Sequence, residues 1–353
     1  MTARLSCISL SLLSMITIDG SFGEGGGQII RTACALSLIS KKPFRVFNVR
    51  ARRDKPGLQR QHLTAVLAAA EIGQAKVDGA AVGSREFTFV PGEIKPGKYD
   101  FKIGTAGSTT LVLQTLLPPL MMAAEPSLLT LEGGTHNVHA PPFEFVQKAF
   151  LPLINRLGAS VSIELDRYGF YPPGGGRLRV RIETWGSRRR LDLLERGSLR
   201  GQRARALVVN LPESIASREL NVIKEKLGWS DEQLQIESSI NAYSPGNVVT
   251  IELESEEVTE IFTGVGERGV RAEVVAERVV DEARQYLAVG APVGEHLADQ
   301  LLIPLAITGG GSYLTGQPSL HTTTNIEVIK KFLGVDITIN QVSECTWKIE
   351  VRA

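Results

Sequence analysis

Residues 16–39 read ITIDGSFGEGGGQIIRTACALSLI, and the organisation of this stretch recurs along the chain. Its first four residues are a β-rich run, the reading of a short strand. The glycines at 23 and 25–27 then interrupt it with a turn. From Gln28 the apolar residues return at helical spacing, which predicts a helix over 28–39. A strand follows at 44–50, a helix at 58–72, and strands at 75–77 and 86–90, giving the order βαβαββ. The next segment repeats it: strand 99–103, glycine turn 104–107, helix 108–123, strand 128–132, helix 142–157 closed by Gly158, strands 160–165 and 177–182. A third copy comprises helix 297–307, strand 312–314, helix 325–333 and strands 335–339 and 346–351; its opening strand is not adjacent.

Residues 185–269 break the pattern with a strand at 206–210, a helix at 216–227 and strands at 235–239 and 248–253. They read as an inserted α/β domain, after which a helix at 272–287 returns the chain to the main body. No single βαβαββ unit buries both faces of its helices. Three units packed about a common axis, helices inward and sheets outward, would do so. The expectation is an α/β fold with a main domain over 15–184 and 270–353 and a smaller insert over 185–269. Residues 1–14 have a short, Ser-rich apolar part and no clear cleavage site. They read as an N-terminal extension rather than a secretory signal.

With 353 residues, 43% apolar, the chain can bury a sizeable core. A formal net charge of +1 excludes a bulk basic field, so any anion site must be local. Three well-separated cysteines form neither a disulfide framework nor a metal-ligand spacing, which points to a reducing, cytoplasmic setting. No apolar run reaches the ~20 residues of a membrane span.

Four clusters could carry chemistry. The loop GEGGGQ (23–28), with Arg31 one turn into the helix, lets backbone approach a ligand and offers free N–H groups to an anion. No Gly-Lys-Ser/Thr follows, so it is not a Walker A loop. Glu24 within it could hold Mg2+ or Mn2+ against phosphates; a plain tight turn is the alternative. Arg50, Arg52, Arg53, Lys55 and Arg60, ending in Gln61 and His62, make either a phosphate clamp or a solvated turn. His321, in LHTTTN, lies just before the last expected helix. A helix start disfavours imidazolium and would keep the ring nucleophilic, although a capping run explains the same residues. Asp299, in EHLADQ, either complements a helix dipole or orients His321 by accepting a ring N–H. His136 and His139 lack a third ligand for zinc. Arg188–Arg190 with Arg196, Arg200, Arg203 and Arg205 make the start of the insert basic, fitting either RNA phosphates or a solvated face.

GEGGGQIIRTA, RARRDKPGLQRQH, GTAGSTTLVLQTLLP, GGTHNVHAPP, GFYPPGGG, EHLADQLLIPLA and HTTTNIEVIKKFL occur in this order. Together they make the chain resemble the RNA 3′-terminal phosphate cyclase family from Met15 to the C-terminus. The resemblance implies three βαβαββ units with an inserted small α/β domain. It implies transfer of AMP from ATP to a histidine, then to an RNA 3′-phosphate. The vicinal 2′-OH then closes a 2′,3′-cyclic phosphate. On this resemblance His321 is the adenylated histidine, Asp299 its orienter, and Glu24 an acid linked to the metal and the ATP phosphates. Arg31, Arg50, Arg53, Gln61 and His62 match the polar cluster needed for phosphate handling, Gln61 and His62 among the ATP-binding positions. Gln114 and the run His296, Leu297, Ala298, Asp299 and Gln300 match ATP-binding positions, and Pro141 packs against adenine. His296 stands where bacterial members carry Tyr, and an imidazole offers less ring area for stacking. The implied partners are ATP and RNA 3′-phosphate ends, with no membrane; homo-oligomerisation is left open. Two alternatives share the architecture. A non-catalytic RNA-processing scaffold lacks the nucleophilic histidine, and an enolpyruvyl transferase leaves HTTTN unexplained.

Overall fold

Two left-handed glycines, Gly23 (φ 56°) and Gly25 (φ 65°), reverse the chain between β1 (Ile16–Asp19) and α1 (Gly27–Ser40) in the computed structural model, which describes residues 15–352. The expected extension at 1–14 lies outside the described residues. β2 (Phe44–Phe47), α2 (Arg60–Ile72), β3 (Lys76–Asp78) and β4 (Phe87–Val90) complete a four-stranded sheet of order β1-β2-β4-β3. β1 and β2 run parallel and the other pairs antiparallel. The second unit has β5 (Lys98–Lys102), α3 (Thr109–Met121) and β6 (Ser127–Gly133). A π-helical segment, Phe145–Phe150, then runs into α4 (Leu151–Arg156), followed by β7 (Val161–Arg167) and β8 (Gly176–Ile182). Its order, β5-β6-β8-β7, is the same.

β9 (Leu191–Leu193) precedes the segment made of β10 (Leu199–Val209), α5 (Ser214–Leu227), β11 (Leu234–Ser239), β12 (Gly246–Ser255), β13 (Thr259–Val265) and α6 (Ala272–Val289). The chain then resumes with α7 (Glu295–Ala306), β14 (Gly311–Thr315), α8 (Leu320–Phe332), β15 (Asp336–Gln341) and β16 (Trp347–Arg352). The third sheet has the order β9-β14-β16-β15, so its opening strand is the three-residue β9. The sequence reading places residues 191–193 inside the insert; the parallel ladder Gly311–Leu191 to Tyr313–Leu193 puts them in the main body. α6 differs in the opposite sense. Its apolar face, Val275, Ala276, Val279, Val280, Ala283 and Tyr286, shares a core with Ala204, Ala206, Val249 and Ile251 of the insert sheet β11-β10-β12-β13. Amphipathic spacing shows that a helix has a buried face but not which sheet covers it.

α1 packs against α2, α3 and α8 and lies at the centre. Every residue from Thr32 to Leu38 is buried, as expected of a helix covered on all sides. β8 shows the outer layer: Leu178, Val180 and Ile182 are buried while Arg177, Arg179 and Arg181 alternate outward. Helices inside and sheets outside is the expected arrangement. Among the described residues no helix is long and apolar enough to cross a membrane.

Candidate active site

A cleft of about 540 Å³ opens between the helix starts of the main body and the inner face of the insert. Gln28 of α1, Gln114 of α3, His296, Asp299 and Gln300 of α7 and His321 of α8 line one side, with Arg31 and Pro141. Ile261 and Thr263 of β13 and Arg278 and Glu282 of α6 line the other. The expected residues Arg31, Gln114, Pro141, His296, Asp299, Gln300 and His321 therefore share one cavity.

α8 begins at Leu320, capped by Ser319, whose hydroxyl accepts from Thr322 N at 3.3 Å. His321 thus sits in the first turn of the helix rather than just before it, with its side chain half-exposed. Its Nδ1 lies 3.3 Å from Gln28 Oε1. Gln28 Nε2 donates to Asp299 Oδ1 at 2.6 Å, and Asn325 Nδ2 donates to the same oxygen at 2.9 Å. Thr32 Oγ1 donates to Asn325 Oδ1 at 2.8 Å. A direct bond between Asp299 and His321 is the sequence expectation; Gln28 stands between them instead.

This arrangement fixes the ring chemistry. A carboxylate only accepts, so the amide nitrogen of Gln28 faces Asp299 and its oxygen faces the ring. The ring must then carry its proton on Nδ1. That leaves the Nε2 lone pair free, 3.9 Å from Glu24 Oε1. Burial lowers the His321 pKa below its ordinary value; Asp299 opposes the shift, while Arg31, Arg53 and His296 add to it. Burial raises the Asp299 carboxyl, against His321, its Asn325 and Gln28 bonds and the Arg31 charge.

Glu24 is held on all sides. Its Oε2 accepts from Gly26 N at 2.8 Å, its own N donates to Thr324 Oγ1 at 2.9 Å, and its carboxylate pairs with Arg53. A Cβ on Gly23 would lie 2.1 Å from Thr324 Oγ1, so only glycine lets the loop meet α8. Arg31 is pushed down to about 10 by burial, with Asp299 offsetting part of this. Among the described residues no carboxylate lies within 4 Å of its guanidinium, so it is available to an anion.

The other expected residues do structural work nearby. Gln61 Oε1 accepts from Ser108 N at 2.7 Å and ties α2 to the start of α3. His62 Nδ1 accepts from Gln59 N at 3.2 Å as part of a capping box. Burial, with Arg31 and Arg50, pushes His62 down to about 3, so it stays neutral. Its ring lies against Gly27, where a Cβ would meet Nε2 at 2.4 Å. Arg50 donates through Nη1 to Lys55 O at 2.5 Å and Gly57 O at 3.1 Å, holding its own loop. Leu297 and Ala298 differ from expectation: both side chains are buried in the main core, because on α7 they face away from His296 and Asp299. His136 is also spoken for, hydrogen-bonded to Glu144 Oε2 at 2.8 Å.

Sequence reading takes in Gln28 only as the end of the GEGGGQ loop and does not single out Thr32 or Asn325 as site residues. The signal is present, because Gln28 and Thr32 on α1, and His321 and Asn325 on α8, are each four residues apart and share a helix face. Among the described residues no three His, Cys, Asp or Glu side chains cluster as a metal site. Glu24 alone suits Mg2+, which binds one or two carboxylates together with substrate phosphates.

A neutral histidine beside an unpaired arginine, in a cleft of nucleotide size, equips a protein for phosphoryl or nucleotidyl transfer. Comparison with known proteins sharpens that class. The family model described as RNA 3′-terminal phosphate cyclase matches residues 22–339. A protein of Koribacter versatilis (strain Ellin345) named RNA 3′-terminal phosphate cyclase is 51% identical over 333 residues, 94% of each chain. One of the same name from Ectopseudomonas mendocina (strain ymp) is 50% identical over 337 residues, 96% of this chain and 98% of that one. The chain belongs to the RNA 3′-terminal phosphate cyclase family.

Proposed function

We propose that this chain uses ATP to convert an RNA 3′-terminal phosphate into a 2′,3′-cyclic phosphate, with His321 Nε2 as the nucleophile. The observation that carries the residue assignment is the Asp299–Gln28–His321 chain, which protonates Nδ1 and leaves Nε2 bare. Family membership supports the reaction.

Nε2 attacks the α-phosphorus of ATP; the N–P bond forms as the bond to pyrophosphate breaks. The charge the ring gains is held by the Nδ1–H···Oε1 bond to Gln28, which Asp299 polarises from behind. An oxygen of the RNA 3′-phosphate then attacks the same phosphorus and releases His321. The product is an RNA-phosphate–AMP anhydride. The neighbouring 2′-OH attacks the RNA phosphorus, loses its proton and expels AMP. A phosphate monoester lacks a good leaving group for that closure, and AMP supplies one. Arg31 and Arg53 neutralise phosphate charge. A divalent cation held by Glu24 would add charge neutralisation on the ATP phosphates. For the base, the exposed ring of His296, Pro141 and Gln114 line the cleft. The buried Gln300 Oε1 has no partner, an acceptor that an adenine amino group would satisfy.

The test uses a 3′-phosphorylated oligoribonucleotide with ATP and Mg2+. The expected product is a phosphatase-resistant cyclic end. The same oligomer with a 2′-deoxy terminus should stop at the activated RNA-phosphate–AMP species. A cyclic product from the 2′-deoxy oligomer would contradict the proposed closure.

A further inference from the structure

Two tyrosines are largely exposed where the insert meets the second repeat. Tyr171 is 82% exposed and Tyr243 67% exposed. Tyr171 belongs to the loop before β8, and Tyr243 to the insert loop between β11 and β12. The two loops are clasped together. Tyr168 N donates to Asn241 O at 3.1 Å, Asn241 Nδ2 donates to Asp166 O at 2.9 Å, and Ser244 Oγ donates to Phe170 O at 3.2 Å. The Tyr243 ring lies on Gly175, where a Cβ would come within 2.3 Å of its Cδ2. Arg167 sits 4.1 Å from the centre of that ring and donates to Gly175 O at 2.6 Å. The Tyr243 ring is thus set on a built surface, and Tyr171 projects from the loop clasped to it.

The surface connects to the cleft. Gly174 packs on the backbone of Thr105 and Ala106, where a Cβ would meet Thr105 O at 2.6 Å. Ala106 O accepts from Asn137 Nδ2 at 2.6 Å, and Asn137 lines the cleft. On the outer face of the second sheet, Lys102, Glu132, Arg177 and Arg167 fall in one cross-strand row. That row carries three cations and one acid: Arg167 lies 3.9 Å from Glu132 and Arg177 3.6 Å from Asp166, both long, partly exposed pairs that a phosphate can compete for, and among the described residues Lys102 has no carboxylate within 4 Å. Exposed aromatic faces next to cations, leading to a phosphate site, suit a single-stranded nucleic acid, because every base has a face to stack.

The geometry points to a docking track for single-stranded RNA. The bases upstream of the 3′-terminal phosphate stack on Tyr171 and Tyr243, and their backbone runs along Lys102, Arg177 and Arg167. This rests on the proposed reading of the cleft as the site that takes the RNA end, and it adds where the rest of the strand lies.

The test compares a decanucleotide with a dinucleotide, each 3′-phosphorylated, on the full chain and on the double variant Tyr171→Ala, Tyr243→Ala. The track predicts a rise of about tenfold or more in KM for the decanucleotide. The kcat, the dinucleotide kcat/KM and ATP-dependent self-adenylation should be unchanged. Tyr171→Trp with Tyr243→Phe should keep wild-type values. Fluorescence anisotropy with a 3′-hydroxyl decanucleotide, without ATP, reads the surface independently of any chemistry, and the double variant should bind it about tenfold more weakly or worse. Unchanged affinity for that decanucleotide overturns the track. An equal loss on dinucleotide and decanucleotide also overturns it, because it marks a general defect.

Discussion

Gln28 decides which nitrogen of His321 can act. It has one amide with two faces: the donor is committed to Asp299, so the acceptor must take the ring proton. Gln28→Met keeps the length and apolar stem but removes both bonds. Adenylation should slow by roughly 10–100-fold, as for other second-layer partners of a reactive histidine, with ATP affinity little changed. Equal losses in both would assign Gln28 to nucleotide binding instead. The pH profile adds a signed check. Nucleophilic attack needs neutral His321, and its pKa is lowered, so the acid limb of single-turnover adenylation should fall below the ordinary histidine value. Asp299 is the group that holds the pKa up, so Asp299→Asn should move that limb further to acid. The role of Gln28 was hard to find in the sequence because there it is only the last residue of a glycine-rich loop. Only the meeting of α1, α7 and α8 shows that it spans two side chains. The side chains of Leu297 and Ala298 are turned into the core for a related reason: a run of residues in a motif occupies every face of a helix, and only some of those faces see the cleft.

Helix starts supply most of the site. Gln28, His296 and His321 are each the second residue of their helices, α1, α7 and α8. Free N–H groups at such ends favour phosphate and disfavour a second positive charge on the ring. The repeats were legible because apolar periodicity switches between helix and strand at each glycine turn. β13 was not, because TEIFTGV has no clean alternation, and β9 was not, because three residues give no period. β13 matters to the site. Its Glu260, 2% exposed, accepts the N–H of Gly294 at 2.6 Å and so caps α7, which carries His296 and Asp299. Burial pushes Glu260 up to about 8, against the Gly294 bond. Its folded pKa exceeds its unfolded value, so the neutral form's contribution is complete below the unfolded pKa and is lost as pH rises to about 8. Glu260→Gln keeps an acceptor for Gly294 without the ionisation. It should raise unfolding stability near pH 7–8 by about 3–4 kcal/mol and by much less near pH 5. Urea melts at the two pH values measure this; an equal difference at both would refute the buried-acid account.

The whole molecule makes one cleft from two cores. The main core gathers α1, α3, α7 and α8; the insert core joins α6 to its own sheet. Between them runs a partly buried polar chain in which Arg205 of the insert pairs with both Glu144 and Glu237, and the buried Glu144 bonds His136. Arg205 was read as a candidate for RNA phosphates, but these carboxylates occupy it. The insert thereby forms the wall of the cleft opposite His321, and the exposed tyrosines lie where its loops meet the second repeat. The account depends most on His321 Nε2 accepting AMP. The direct measurement is to incubate the protein with ATP and Mg2+ without RNA, digest it at neutral pH and locate the adduct by tandem mass spectrometry. The predicted result is AMP on the peptide containing His321, with none on that peptide in His321→Ala. AMP on a lysine or another histidine, or an adduct that persists in His321→Ala, would contradict it.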